Sequence, residues 1–270
     1  MEEPGFFFGA LSLSSDEEEG GAGGCGTTGR RICEGCDRPK KNACLCSTFP
    51  AGGPIELRGG KVIVLQHPNE KKRKLATVAI LKKVLGSCDV LVGRQFTAER
   101  YPVLAETLRL ARDGSVDVFV LYPGAKAESL EDLAEERRAS AEGDGRRWVL
   151  IAIDGTWQQA KEMFTFCRDL LLPRGVENAR RVELNRRGGG GGEGEGLLLM
   201  TEPDQGCVTT MEAIATAVSI MEGGEAMEEA LLAPLAKLVS LQKGFNPAVK
   251  ARLGVGGSKH TKTRRSRLKD

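Results

Sequence analysis

Val149-Leu150-Ile151-Ala152-Ile153-Asp154-Gly155-Thr156-Trp157 is the stretch that decides the fold class. Five apolar residues run without a break into an acid, a glycine, a hydroxyl and an indole. A short, continuously apolar run reads as a strand buried on both faces, as in a parallel sheet. Gln158 to Cys167 then reads as a helix. Asp154-Gly155-Thr156-Trp157 is therefore expected at the carboxyl end of a strand in an α/β sheet, the edge where such folds place their ligands. A carboxylate and an indole offered together there suit chemistry on a flat, polar substrate.

Outward from that strand the pattern repeats. Residues 61–65, 90–92, 116–121 and 148–153 read as strands, and 71–86, 98–112 and 128–141 as helices between them. Residues 181–184 and 197–200 are further strand candidates, and helices near 209–222 and 225–242 close the domain. Strands alternating with helices predict a mostly parallel sheet covered by helices on both faces. Gly188 to Gly192 with Glu193-Gly194-Glu195-Gly196 is low in complexity and reads as a flexible insertion over 188–196. The expected organisation is a disordered acidic tail (1–29), a four-cysteine module (30–50), an α/β domain (51–245) and a basic tail (246–270).

The chain has 270 residues, 40% of them hydrophobic, enough for one sizeable core. No apolar run approaches the roughly 18 residues of a membrane span. Residues 1–24 carry six acids and no base, and 254–270 carry six bases against Asp270. An acidic, arginine-free head argues against a secretory or transit segment, which makes cytosol or nucleus the expected compartment. There, eight cysteines are read as metal ligands or thiols before disulfides. The basic tail suits nucleic acid or nuclear import, or is simply a solvated end.

Three constellations carry chemistry. Cys33, Cys36, Cys44 and Cys46 supply four thiolates within 14 residues, a complete tetrahedral set for a structural Zn²⁺; two disulfides, free thiols or an iron–sulfur cluster are the alternatives. Cys88 and Cys167 lie in apolar segments and read as small core residues. Asp154 offers either a reactive carboxylate or an N-cap for the following helix. Two loops fall at neighbouring strand ends: Tyr122-Pro123-Gly124, and Thr201-Glu202-Pro203-Asp204-Gln205-Gly206, which leads to Thr209 and Thr210. Thr209 and Glu212 have capping-box spacing, which leaves a helix N-terminus suited to a carboxylate or phosphate. The third constellation is His67, at the end of the first strand, followed by Lys71, Lys72, Arg73 and Lys74. The basic run is a solvated helix face or a grip on a phosphate backbone.

Together these motifs resemble the DTW-domain family, the tRNA-uridine aminocarboxypropyltransferases. The resemblance rests on Cys33-x2-Cys36-x-Arg38-Pro39 with Cys44-x-Cys46, on Leu65-Gln66-His67-Pro68, on Leu121-Tyr122-Pro123-Gly124, on Asp154-Gly155-Thr156-Trp157, and on Glu202-Pro203 followed by Thr209-Thr210-Met211-Glu212-Ala213. Their order also fits, and they span roughly residues 30–222. The resemblance implies a fold related to the SPOUT RNA-modifying enzymes and S-adenosylmethionine as donor. The implied reaction carries the 3-amino-3-carboxypropyl group to N3 of a tRNA uridine and releases 5′-methylthioadenosine. Asp154, Thr156 and Trp157 are then the expected catalytic motif. Tyr122, Pro123, Gly124, Glu202, Pro203, Thr209 and Thr210 are the expected donor-binding residues. The chain has Met200 where the family pattern carries an arginine. Uracil N3 must lose its proton to become a nucleophile, which calls for a base, and Asp154 is the sequence candidate. A methyltransferase acting on RNA, or a non-catalytic zinc-containing RNA-binding adaptor, are the competing readings.

Overall fold

Side-chain alternation along the strands sorts the core into two layers. The computed structural model describes residues 31–73, 76–140, 146–185 and 209–245. A short antiparallel pair, β1 (Ile32–Cys33) and β2 (Arg38–Pro39), comes first. The main sheet follows: β3 (Gly60–Gln66), β4 (Cys88–Val92), β5 (Val116–Leu121), β6 (Glu128–Ser129), β7 (Arg147–Asp154) and β8 (Ala179–Glu183). The helices are α1 (Pro68–Lys71), α2 (Thr77–Val84), α3 (Pro102–Arg112), α4 (Leu130–Ala139), α5 (Trp157–Leu171), α6 (Thr210–Glu222) and α7 (Glu225–Phe245). Strand order across the sheet is β4-β3-β7-β5-β8-β6, and every described pair is parallel.

On β3, Val62 and Val64 face one layer while Ile63 and Leu65 face the other; on β7, Leu150 and Ala152 oppose Val149 and Ile151. Helices α2, α4, α6 and α7 close the first layer through residues such as Leu81, Leu130, Ile214 and Leu235. Helices α3 and α5 close the second through Leu104, Met163 and Phe164. The α/β class with helices on both faces is thus as the sequence predicts. Ile151 is fully buried, so Ile151→Ala should cost about 2–5 kcal/mol. Helix α6 is apolar nearly all round because it is buried nearly all round, with Met211, Ile214, Ala215, Ala217 and Val218 all without exposure.

Several boundaries differ from the sequence reading. The helix expected over 71–86 is two helices, α1 ending at Lys71 and α2 starting at Thr77. His67 and Pro68 start the first early, since Pro is pre-set for the first helical position. The first ends at Lys71, with Lys72 as its C-cap. Helix α3 begins at Pro102, not 98, because the residue before proline is biased away from helical geometry. Residues 128–129 are a short edge strand, and Ser129 caps α4. Helix α5 runs on to Leu171. The expected insertion at 188–196, the strand at 197–200 and both tails lie outside the described residues. Among the described residues no helix is long and apolar enough to cross a membrane.

The topology points to one place. From β3 the chain goes through α2, in the first layer, to β4 on one side. From β7 it goes through α5, in the second layer, toward β8 on the other. Successive helices on opposite faces open a crevice between the carboxyl ends of the two adjacent strands. That switch point lies between β3 and β7, which end in register with Gln66 opposite Asp154.

Candidate active site

Asp154 is 8% exposed and sits in the switch-point crevice. A carboxylate buried there needs hydrogen bonds to offset lost hydration. Gln66 supplies one, donating Nε2 to Oδ2 at 3.0 Å, and Thr210 the other, donating its hydroxyl to Oδ1 at 2.7 Å. The His67 amide donates to the Asp154 carbonyl at 2.8 Å, which locks the two strand tips together. Asp154 does not cap α5. Thr156 does: its hydroxyl accepts from the Gln159 amide at 3.3 Å, and the Gln159 side chain accepts from the Thr156 amide at 2.9 Å. Trp157 opens α5 with 55% of its surface exposed. Thr209 and Glu212 form the expected capping box, so α6 presents its first residue, Thr210, to Asp154.

The Tyr122-Pro123-Gly124 loop lies at the tip of β5, beside β7. The Tyr122 ring stacks on Phe164 of α5 with centroids 4.0 Å apart. Arg181 of β8 lies over both rings, its guanidinium carbon 5.0 and 5.1 Å from the centroids. It also donates to the Tyr122 carbonyl at 2.7 Å and to the Pro123 carbonyl. Glu183 accepts from the Gly124 amide at 3.0 Å. Gly124 has φ of 144°, and a Cβ there would collide with Arg181, so glycine is required. Arg181 and Glu183 thus set the loop, a role that reading 181–184 as a plain strand does not reveal. Glu202, Pro203 and Met200 lie outside the described residues.

His67 caps α1, its Nδ1 accepting from the Asn69 amide at 3.2 Å. That bond leaves the ring proton on Nε2. Burial, and then Arg94, hold its pKa below the ordinary histidine value, against an opposing pull from Glu162. Glu70 is 8% exposed and pairs with Arg73 at 3.1 Å. Lys71 and Lys72 are exposed.

The cysteine cluster stands apart. The four Sγ atoms lie within 4.8 Å of one another, with contacts of 3.5, 3.6 and 3.8 Å. Tetrahedral zinc with bonds of about 2.3 Å places its sulfurs about 3.8 Å apart, so the set fits. A Cβ on Gly35 would lie 2.7 Å from the Cys46 sulfur. Asp37 turns the knuckle with φ of 54°. The Cys36 amide, above all, lowers the Cys33 pKa to about 6, while the Cys33 thiol contact helps push Cys46 up to about 12. Metal ligation takes cysteines as thiolates, so binding a cation here would release protons. Asp37 pairs with Lys83 in the last turn of α2, at the far end from the strand tips. Cys88 and Cys167 are buried in the core, as expected. A cleft of about 580 Å³ lined by Gly60, Val103, Leu110 and Trp148 opens at the amino-terminal edge of the sheet. Polar groups converge at the opposite edge, so the site is assigned there.

No solved structure matches the chain significantly. The chain is 32% identical over 215 residues to tRNA-uridine aminocarboxypropyltransferase 2 of Macaca fascicularis, and 33% identical over 215 residues to that of Mus musculus. Each match covers 79% of this chain and 64% of the relative, so the chain spans under two thirds of their length. It is 30% identical over 232 residues to tRNA-uridine aminocarboxypropyltransferase A of Arabidopsis thaliana, covering 83% of this chain and 85% of that one. The DTW domain matches residues 30–243, from the cysteine knuckle through the Asp154 crevice to α7, and on that match the chain belongs to the DTW domain family.

Proposed function

We propose that the protein is a tRNA-uridine aminocarboxypropyltransferase. It moves the 3-amino-3-carboxypropyl group of S-adenosylmethionine to N3 of a tRNA uridine and releases 5′-methylthioadenosine. One observation carries the reading: a buried carboxylate, Asp154, held by Gln66 and Thr210 at the topological switch point. The names of the relatives supply the substrate class.

In this reading Tyr122, Pro123, Gly124, Glu202, Pro203, Thr209 and Thr210 hold the donor. Asp154, Thr156 and Trp157 face the uridine, and Trp157 stacks on an exposed ring. The sulfonium activates three carbons, and these residues must present the γ-methylene rather than the methyl to N3, a matter of orientation. The loop clamp by Arg181 and Glu183 supports such preorganisation. The uridine must be unstacked, since N3 is hidden in a base pair. Cys33, Cys36, Cys44 and Cys46 would hold a Zn²⁺ with all four positions closed, which stabilises the knuckle and takes no part in transfer. Cysteine usage supports action in the cytosol or nucleus.

The test is nucleoside mass spectrometry of tRNA incubated with protein and donor. An aminocarboxypropyl gain on uridine is expected. A methyl gain would instead make the protein a methyltransferase, and donor binding without any adduct would remove the transferase reading.

A further inference from the structure

The crevice holds a second carboxylate. Glu70 lies one helical turn beyond His67, its amide donating to the His67 carbonyl at 3.0 Å, and close enough to Asp154 for the two charges to interact. Its Oε2 pairs with Arg73, but its Oε1 is buried and has no hydrogen-bond partner among the described residues. An orphaned buried oxygen costs a fold stability, so its persistence calls for an explanation. Asp154 and His67, at the same tips, are already hydrogen-bonded. Both Asp154 oxygens already accept hydrogen bonds. His67 Nδ1 holds the Asn69 amide, and its other nitrogen carries the proton.

We propose that Glu70 is the general base: its Oε1 takes the N3 proton of the bound uracil, while Asp154 fixes the strand tips and Thr210 around it. The proposal rests on the transferase reading. In the step, the N3–H bond breaks toward Oε1 and the N3 electron pair bonds to the γ-carbon of the donor. The carbon–sulfur bond breaks with its pair going to sulfur, so the cationic sulfonium leaves as a neutral thioether. The carboxylate becomes a carboxylic acid and later returns its proton to water. The electrostatics fit the task. Burial first, and then the Asp154 charge, raise the proton affinity of Glu70 above the ordinary carboxylate value, against the opposing Arg73. Uracil N3–H is a far weaker acid than a carboxylic acid, so a more basic carboxylate is the better acceptor.

The experiment compares native protein, Glu70→Gln and Glu70→Asp in single turnover, on ordinary tRNA and on tRNA carrying 5-fluorouridine, whose N3 proton is more acidic. Donor affinity is measured by calorimetry and fold by thermal unfolding. Glu70→Gln should lose about 10²–10⁴-fold in rate on ordinary tRNA, with donor affinity and fold retained, and the deficit should shrink on 5-fluorouridine tRNA. Glu70→Asp should fall between. An equal deficit on both substrates would make Glu70 structural, and loss of donor affinity would make it a ligand of the donor ammonium; either overturns the proposal. Full activity of Glu70→Gln beside an active native protein overturns it alone, whereas an inactive native protein overturns the transferase reading with it.

Discussion

Thr210, the first residue of α6, donates its hydroxyl to Asp154, the last residue of β7, at 2.7 Å. The bond ties the most buried helix of the first layer to a strand tip in the crevice. It is separable from helix capping, because Thr209 caps α6. Thr210→Val should therefore keep α6 intact while leaving a carboxylate oxygen short of a donor, a loss of about 1.5–3 kcal/mol for a bond to a charged group. Turnover should fall with it, and Thr210→Ser should restore both. Measuring rate and unfolding on the pair checks this; a fully active Val variant would show that the bond does not position Asp154 for the reaction.

The pH profile follows from Glu70 and its neighbour. A base must be ionised to accept a proton, so kcat/KM should fall as pH drops through the Glu70 pKa. That acid limb should lie above the ordinary carboxylate range, because burial and Asp154 raise the value. Asp154→Asn removes the like charge, which lowers the Glu70 proton affinity and moves the limb to lower pH. The limb should stay above the ordinary value, since burial is the larger cause. The variant should also be slower, because Gln66 and Thr210 lose their ionic acceptor. An acid limb at the same pH in both proteins would show that the two carboxylates are not coupled.

The strand over residues 149–153 and its reactive terminus were legible because a strand buried on both faces leaves a continuous apolar run. The crevice partners were not. Gln66 and Asp154 are 88 residues apart in sequence and meet only through parallel registration. Glu70 is one acid beside a run of cations, and nothing in that local pattern marks it as buried. Arg181 reads as an ordinary strand residue until the Tyr122 loop folds under it. The cap of α5 was readable: Thr156-x-x-Gln159 is capping-box spacing, and it releases Asp154 from that duty.

Metal in the knuckle is tested by substitution. Purified under reducing conditions, the protein should carry one zinc per chain. Cys36→Ser should lose it, and with it the sulfur that accepts the Leu45 amide at 3.5 Å. Leu45 is fully buried in the first layer, so proteolysis should increase over residues 31–50. The sheet should melt separately and later, because the knuckle touches α2 and α7 rather than the strand tips. Metal analysis finding no zinc in the native protein would overturn the assignment.

Thr156 and Trp157 stand side by side but should fail differently. Thr156 uses its oxygen to cap α5, so Thr156→Ala should cost about 1 kcal/mol of stability, while Thr156→Ser keeps the cap. Trp157 is 55% exposed and buries little in the core, so Trp157→Ala should leave the melting temperature nearly unchanged. If the indole stacks on a ring of the substrate, its removal should cost about 1–3 kcal/mol of binding, roughly 5- to 150-fold. Trp157→Phe should recover part of that loss, because a smaller aromatic face still stacks. Binding assays with tRNA and with S-adenosylmethionine, each taken alone, identify the ring. A defect for tRNA places the uracil against Trp157, and a defect for the donor places the adenine there. Unchanged binding and turnover in Trp157→Ala would leave the indole as a surface residue with no part in the site.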